Sequence, residues 1–475
     1  MSTPPNRAVA PRDRVRWSDG SVPAVAPVRI RVARGCDVTV DAGAPTRAIA
    51  WSLAHDADPE ALKAVFADSS AGGVIDAVLD GRGATVPSAS LVLRPEWTHR
   101  AVTVAVDELC PFELDETTLL LDLVEAEERC GDTTAAAAHV ALTAPYLEAL
   151  LEDAADGAFA DPVAEAIRRI GRAASQAVED TEWGVRLADL TAAVTAGPEV
   201  DDTVLEAVVD SWRNQIGLAR VRADHVLGRD ADPVWVPETV AEIDPAALRP
   251  RRARWSGAET AELVVARVTE SEGTDPTVTG HVGLRAWMPL STAEAADPGE
   301  IDDVRFYATT EDGAEMVRIA RMRREGRDLV AEVHVPADMM DALSFGVIED
   351  ARGLGAIRVG ERAGEFRRVD RYMIDAWSSY RAAGAARALG SDSDRTGDDL
   401  LDEARRAGRS AETVLRRLAG RLGDAEDGIR AGRRAESVAG FLESVEVPPG
   451  AGQEPLLAEM LPAEDPDADP DPDRL

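Results

Sequence analysis

Residues 304–335 read VRFYATTEDGAEMVRIARMRREGRDLVAEVHV. Val304, Phe306 and Ala308 alternate with other residue types, and Leu329, Ala331, Val333 and Val335 do so at the far end. Alternation at period two marks a half-buried strand. Asp312-Gly313 offers the positive φ that a tight hairpin needs, and Glu325-Gly326 offers a second turn. The stretch therefore predicts a three-stranded antiparallel meander.

Working outward, further short strands are expected at 263–268, 278–288, 343–348 and 356–359. With the meander they make a β-sandwich over residues 255–362, immunoglobulin-like by strand count alone. The alternation places His281, Arg285, Trp287, Arg305 and Tyr307 on faces opposite the assumed core. Trp287, Arg305 and Tyr307 are the candidate partner-binding residues. Aromatic and arginine side chains displayed together have the composition of a binding hot spot.

Before this unit, residues 229–254 hold Pro233, Pro237, Pro245 and Pro250 and end in an arginine cluster, which predicts a linker. Residues 114–228 change to helical period and form an acidic helical domain. Between 107 and 210 there are 25 acidic and 5 basic residues, a net of −20, so this block could dock a basic partner. Pro145 is expected to break or kink a helix there. Val204, Leu205, Val208, Val209, Trp212 and Ile216 predict another long helix. Residues 28–113 read as a small α+β domain with a largely antiparallel sheet, its strands including 91–93 and 102–106. Asp58-Pro59 is a helix start, with Asp as N-cap and Pro at the first helical position. Residues 1–27 are Pro- and Arg-rich without periodicity, and are expected to be a disordered basic arm carrying Arg12, Arg14, Arg16 and Trp17.

After the β unit, residues 363–446 predict C-terminal helices. Leu401, Ala404, Gly408, Ala411, Leu415, Leu418, Leu422, Ala425 and Ile429 recur at spacings of three and four. That is a thin heptad seam, weakened by glycines, which must be held by partners within the chain or outside it. Residues 447–475 are expected to be a disordered acidic tail, with aspartates at every second position from Asp465 to Asp473.

The totals narrow the function classes. The 475-residue chain carries a net charge of −35, which opposes nucleic acid and anionic membrane as ligands. Cys36, Cys110 and Cys130 lie far apart and form no Cys-x-x-Cys, so neither a disulfide framework nor a zinc ribbon is indicated. No apolar run reaches about 18 residues and no signal-peptide core stands at the start, which points to the cytoplasm. No phosphate-binding loop, dinucleotide fingerprint, nucleophile elbow or paired-histidine motif occurs, so no catalytic residue, metal ligand or cofactor is assigned. Asp398-Asp399-Leu400-Leu401-Asp402 resembles a magnesium-diphosphate motif in spacing, but reads better as a helix start. The expected architecture is a multidomain α+β chain. The expected function is a non-catalytic interaction or scaffold component of a larger protein complex. The alternative is a hydrolase or transferase whose site is assembled from residues distant in sequence.

Overall fold

The computed structural model describes residues 14–81, 91–110, 114–197, 237–250, 262–267, 281–290, 303–310, 315–350, 352, 357–358, 362–390, 394–447 and 450–461. The chain clusters into two compact units. One comprises Met1–Asp107, Leu114–Asp210 and Tyr372–Leu475, the other Glu108–Glu113 and Ser211–Arg371. The N-terminal sheet, the acidic helices and the C-terminal helices, which read as successive segments, thus gather in one unit. The helix expected around Val204 to Ile216 lies outside the described residues.

In the first unit, strands β1 (Arg14–Ser18), β2 (Pro27–Ala33), β3 (Cys36–Asp41) and β4 (Ala44–Ala54) form an antiparallel sheet in the order β1-β4-β3-β2. The aperiodic arm expected over residues 1–27 therefore gives way to a strand at Arg14. Trp17 anchors it, opposite Trp51 on β4 and stacked on it at 6.4 Å between ring centroids. One large aromatic can hold a short edge strand without leaving a period in the sequence. Ala24 and Val25 are buried too, because the Asp41 carboxylate accepts hydrogen bonds from both of their amides.

Helices α1 (Pro59–Ala64) and α2 (Ser70–Leu79) follow, and the Asp58 side chain caps α1 by accepting from the Glu60 amide. Residues 91–93 make only isolated bridges, Val92 to Arg47 and Leu93 to Phe66, in place of the expected strand. The strand expected at 102–106 is helical, as part of α3 (Pro95–Leu109). Thr98, Ala101, Val102, Ala105, Val106 and Leu109 form one buried face of it, and Trp97, His99, Arg100 and Thr103 are buried beside that face. That face has spacings of three and four, so the same residues satisfy both periods, and packing against other helices decides.

Among the described residues the acidic block holds α4 (Glu116–Arg129), α5 (Thr133–Ala155), α6 (Asp161–Ala177) and α7 (Glu182–Ala193). Asp115, Asp132 and Thr181 cap α4, α5 and α7 by accepting from backbone amides three residues on. Pro145 lies inside α5, which continues through it.

Further along the described chain come α8 (Ala363–Leu389), α9 (Asp394–Leu422), α10 (Glu426–Ser444) and the single turn α11 (Leu457–Met460). From Tyr372 onward α8 belongs to this unit. The seam of α9 is buried from Leu401 to Leu418 and ends there, since α9 stops at Leu422 and Ile429 is 46% exposed on α10. It packs on α10 as a helical hairpin. A Cβ at Gly408 would lie 2.7 Å from Leu442, so glycine at that position lets the two helices approach closely. Further cover comes from within the chain: Phe441 meets Tyr380 edge-on, and Arg434 donates to the carbonyls of Ala24 and Val25. Residues 450–461, expected to be part of a disordered tail, instead bury Leu456, Leu457, Ala458 and Met460.

Among the described residues the second unit holds two antiparallel sheets. Strands β5 (Pro237–Glu242), β6 (Glu262–Arg267), β7 (His281–Pro289), β8 (Val304–Thr310), β9 (Met316–Arg321), β10 (Arg323–Glu325), β11 (Asp328–Pro336) and β12 (Leu343–Glu349) are ordered β10-β11-β7-β6-β5 and β12-β8-β9. Thus the expected linker contains a strand, β5, paired with β6. The expected meander is corrected as well. β8 and β9 pair in the three-stranded sheet, while β10 and β11 pair in the other. The switch occurs at Met322, which is 1% exposed and donates its amide to the Val304 carbonyl. Gly326, at φ +65°, makes the turn between β10 and β11. The Asp312-Gly313 turn lies outside the described residues. Ile357 and Arg358, within the last expected strand, are not in a strand.

The period-two faces themselves hold. Leu284, Ala286 and Met288 of β7, Val304, Phe306 and Ala308 of β8, and Leu329, Ala331, Val333 and Val335 of β11 share one buried cluster. Among the described residues no helix is long and apolar enough to cross a membrane.

Candidate functional site

The three candidate partner-binding residues fall on two sheets. Trp287 is half-buried on β7, between Val264 of β6 and Val330 of β11. Arg305 and Tyr307 are on β8. Arg305 grips Asp350 through two hydrogen bonds of 2.6 Å, which hold that carboxyl below the usual carboxylate range. Tyr307 is only 5% exposed and packs with Ala247, Ile348 and Ile357. Burial pushes its phenol up to about 12. The alternation put Tyr307 on the face opposite the main core, where it is, but a second layer covers it. Arg285 on β7 is engaged by Glu325 and Glu332.

Two polar constellations in the first unit were not legible as sites. The first is interior. Arg381 of α8 forms a bidentate pair with Glu459 of α11, and also donates to the Gln453 carbonyl at 2.8 Å and the Glu454 carbonyl at 3.1 Å. Asp122 of α4 accepts from the Leu457 and Ala458 amides at 2.8 and 2.9 Å. Burial raises the Asp122 carboxyl to about 8 even so. These groups clasp residues 453–460 to the helices. Nearby, Glu125 accepts from Arg129 and Arg169, and its other oxygen lies 4.0 Å from Nε2 of His99, which is 1% exposed. Neither ring nitrogen of His99 has a hydrogen-bond partner among the described residues. Burial first, then the charges of Arg129, Arg169 and Arg381, lower its pKa to about 3. His139 differs: its hydrogen bond to Glu127 raises its pKa.

His99 gives a pH prediction. Its folded pKa of about 3 lies below the unfolded reference of 6.5, so the unfolded chain binds more protons between those values. Its contribution to stability is complete above about 6.5 and is lost as pH falls toward 3, at up to ~1.4 kcal/mol per pH unit. Asp122 acts in the opposite direction over the same range, so the informative quantity is a difference. The stability gap between the wild type and His99→Gln, followed by urea unfolding, should shift against the wild type from pH 6.5 to 5. A pH-independent gap would mean that His99 takes up its proton as readily in the folded chain as in the unfolded one.

The second constellation is an open groove of about 900 Å³ on α9. It is lined by Tyr372, Asp402, Arg405, Arg406, Arg409, Ser410, Thr413, Val414 and Glu446. The seam of α9 faces α10, which leaves its arginine-rich flank outward. Arg405 is neutralised, donating to Asp402 at 2.8 Å and to Glu446 at 3.1 Å. Ser410 and Thr413 spend their protons on the carbonyls of Arg406 and Arg409. Arg406 and Arg409 are exposed, and among the described residues no carboxylate lies within ion-pair distance of either. Residues three apart on a helix stand side by side, about 5–6 Å between Cβ atoms. Two guanidinium forks so placed suit successive carboxylates or phosphates. The sequence signal is the run Arg405-Arg406-Ala407-Gly408-Arg409, which shares its helix with the apolar seam.

Among the described residues no cluster of three or more His, Cys, Asp or Glu could hold a metal ion. None of Cys36, Cys110 and Cys130 is in a disulfide, and burial pushes Cys36 and Cys130 up to about 12, so these two stay protonated thiols. The chain matches no family model, no curated protein and no solved structure.

Proposed function

We propose that this chain is a non-catalytic, cytoplasmic interaction component of a larger protein assembly, and that it takes up an extended acidic segment of a partner protein along the Arg406–Arg409 side of the α9 groove. The observation that carries the reading is the pair of uncompensated arginines in an open groove, within a chain of net charge −35. Arg406 and Arg409 meet no carboxylate among the described residues, so both are available to an outside acid. The groove is solvated, which favours a charged, extended ligand over an apolar one. Cysteines held outside any disulfide fit a reducing compartment. In this reading the two sheets of the second unit are the layers of a sandwich and serve as a rigid body of the scaffold.

The test compares capture from the source cells by the wild type and by Arg406→Glu/Arg409→Glu. The wild type is expected to retain a protein with an acidic extended segment. The variant should lose it, and a synthetic peptide of that segment should compete it off. Retention of the same proteins by both forms would overturn the reading.

A further inference from the structure

We infer that the outward face of α5 is a docking surface for an amphipathic helix of a partner protein, one with an apolar stripe and a margin of lysine and arginine. This face shares no residue with the α9 groove, so the inference does not rest on the reading of that groove.

The first observation is the make-up of the helix. Residues 133–147 of α5 contain no Asp, Glu, Lys or Arg, where a chain with 29% charged residues would place about four. A surface helix normally turns charged and polar residues outward. Here Ala138, Leu142, Pro145 and Ala149 are all exposed, and Leu142 is 72% exposed. Their spacings of four, three and four set them in one row. The row lies opposite the buried side of α5, which includes Val140, Thr143, Leu147 and Leu151. Tyr146, 36% exposed, stands beside the row, and its hydroxyl bonds to that of Thr118 at 3.1 Å, which holds the ring in place.

The second is the neighbouring helix. α7 is joined to α5 by the ion pair of Arg186 with Glu148, and it exposes Trp183 and Val185. Four of the ten large apolar side chains exposed among the described residues thus stand on two joined helices. Exposed apolar side chains gathered in this way mark an interaction site, whereas single ones are ordinary. Pro145 adds a polar feature. It has no amide to give to the Ala141 carbonyl one turn before it, which leaves a backbone acceptor for an incoming Lys or Arg.

Charge selects the occupant. Past the row, α5 exposes Glu152 and Asp153, and α7 exposes Glu182 and Asp189. An apolar centre with a polar rim is the anatomy of a protein interface. An amphipathic helix, with anchors at i, i+3 or i+4 and i+7, fits a row of this kind. From Ala138 to Ala149 the row runs about 16.5 Å at 1.5 Å per residue, which matches three turns of a partner helix. Basic residues at the margin of that helix meet the acids of the rim and steer it into place. A second copy of this chain would set the same acids against each other. The chain's own apolar run at 204–216 is accompanied by Asp201, Asp202, Glu206 and Asp210, and meets the same opposition. An anionic membrane is repelled likewise.

The experiment titrates full-length protein into a fluorescent amphipathic Lys/Leu peptide, with leucines at i, i+3, i+4 and i+7, and follows anisotropy. The matching Glu/Leu peptide is the control. Wild type is expected to bind the Lys/Leu peptide and not the Glu/Leu peptide, and binding should weaken as salt is raised. L142Q/A149Q removes apolar surface and leaves the charge unchanged, and it should weaken binding by about tenfold. E152Q/D153N should weaken it by about threefold. R406Q/R409Q should leave it unaltered, which separates this surface from the α9 groove. Circular dichroism confirms that each variant is folded. The absence of saturable binding by the wild type overturns the inference. Equal binding by L142Q/A149Q overturns it too, because the attraction is then one of net charge alone. A wild-type dimer that L142Q/A149Q dissolves assigns the face to a second copy. Binding that appears only after V208Q/W212Q assigns it to the chain's own apolar run. Either result overturns the inference of a basic partner helix.

Discussion

Arg381→Met is expected to lower the stability of the first unit by ~3–5 kcal/mol, the usual cost of removing one partner of a buried ion pair. Arg381 is 7% exposed and Glu459 is 1% exposed, so the carboxylate left behind has no water to turn to. The two carbonyls of Gln453 and Glu454 lose their donor at the same time. A loss of this size is a large part of the ~5–15 kcal/mol that holds most domains together. Denaturant unfolding measures it. Replacing both partners, Arg381→Met with Glu459→Met, should recover a substantial share, since the cost lies in the unpaired charge more than in the missing attraction. If the double variant is as unstable as the sum of the singles, the pair is not coupled as described. A chain ended before residue 450 should show a similar loss, because it forfeits the pair together with buried Leu456, Leu457 and Met460.

Phe306→Ala is expected to cost ~3–5 kcal/mol in the second unit, through lost burial and the cavity left behind. Phe306 is fully buried in the cluster shared by the two sheets and stacks on Phe345 at 6.0 Å between centroids. Thermal unfolding should show the early loss of the β unit. A midpoint within a degree or two of the wild type would mean that the sheets do not depend on this core. Trp287→Ala serves as the control on β7, since its half-buried side chain leaves no closed cavity.

The faces of β7, β8 and β11 were readable because a strand exposes alternate residues to opposite sides, a property of each segment alone. The same holds for the cap of α1, where Asp58 and Pro59 act within a few residues of one another. The strand partners were not readable. Residues 328–336 could pair with β9 or with β7, and alternation is satisfied by either. Burial of Met322 at the switch between sheets decided it. Residues 102–106 carried two valid periods, and neighbouring helices chose the helical one. Trp17 and the 453–460 segment show the limit most clearly. Each is held by one or two long-range contacts, Trp51 in one case and Arg381 with Asp122 in the other. Such contacts leave no periodic trace. The groove on α9 belongs to the same class. The sequence by itself determined that arginines crowd residues 405–409 and that aspartates crowd the tail. Only the tertiary structure decided which arginines meet a carboxylate inside the unit, because pairing depends on which helix comes near, and that is set by packing between segments far apart along the chain.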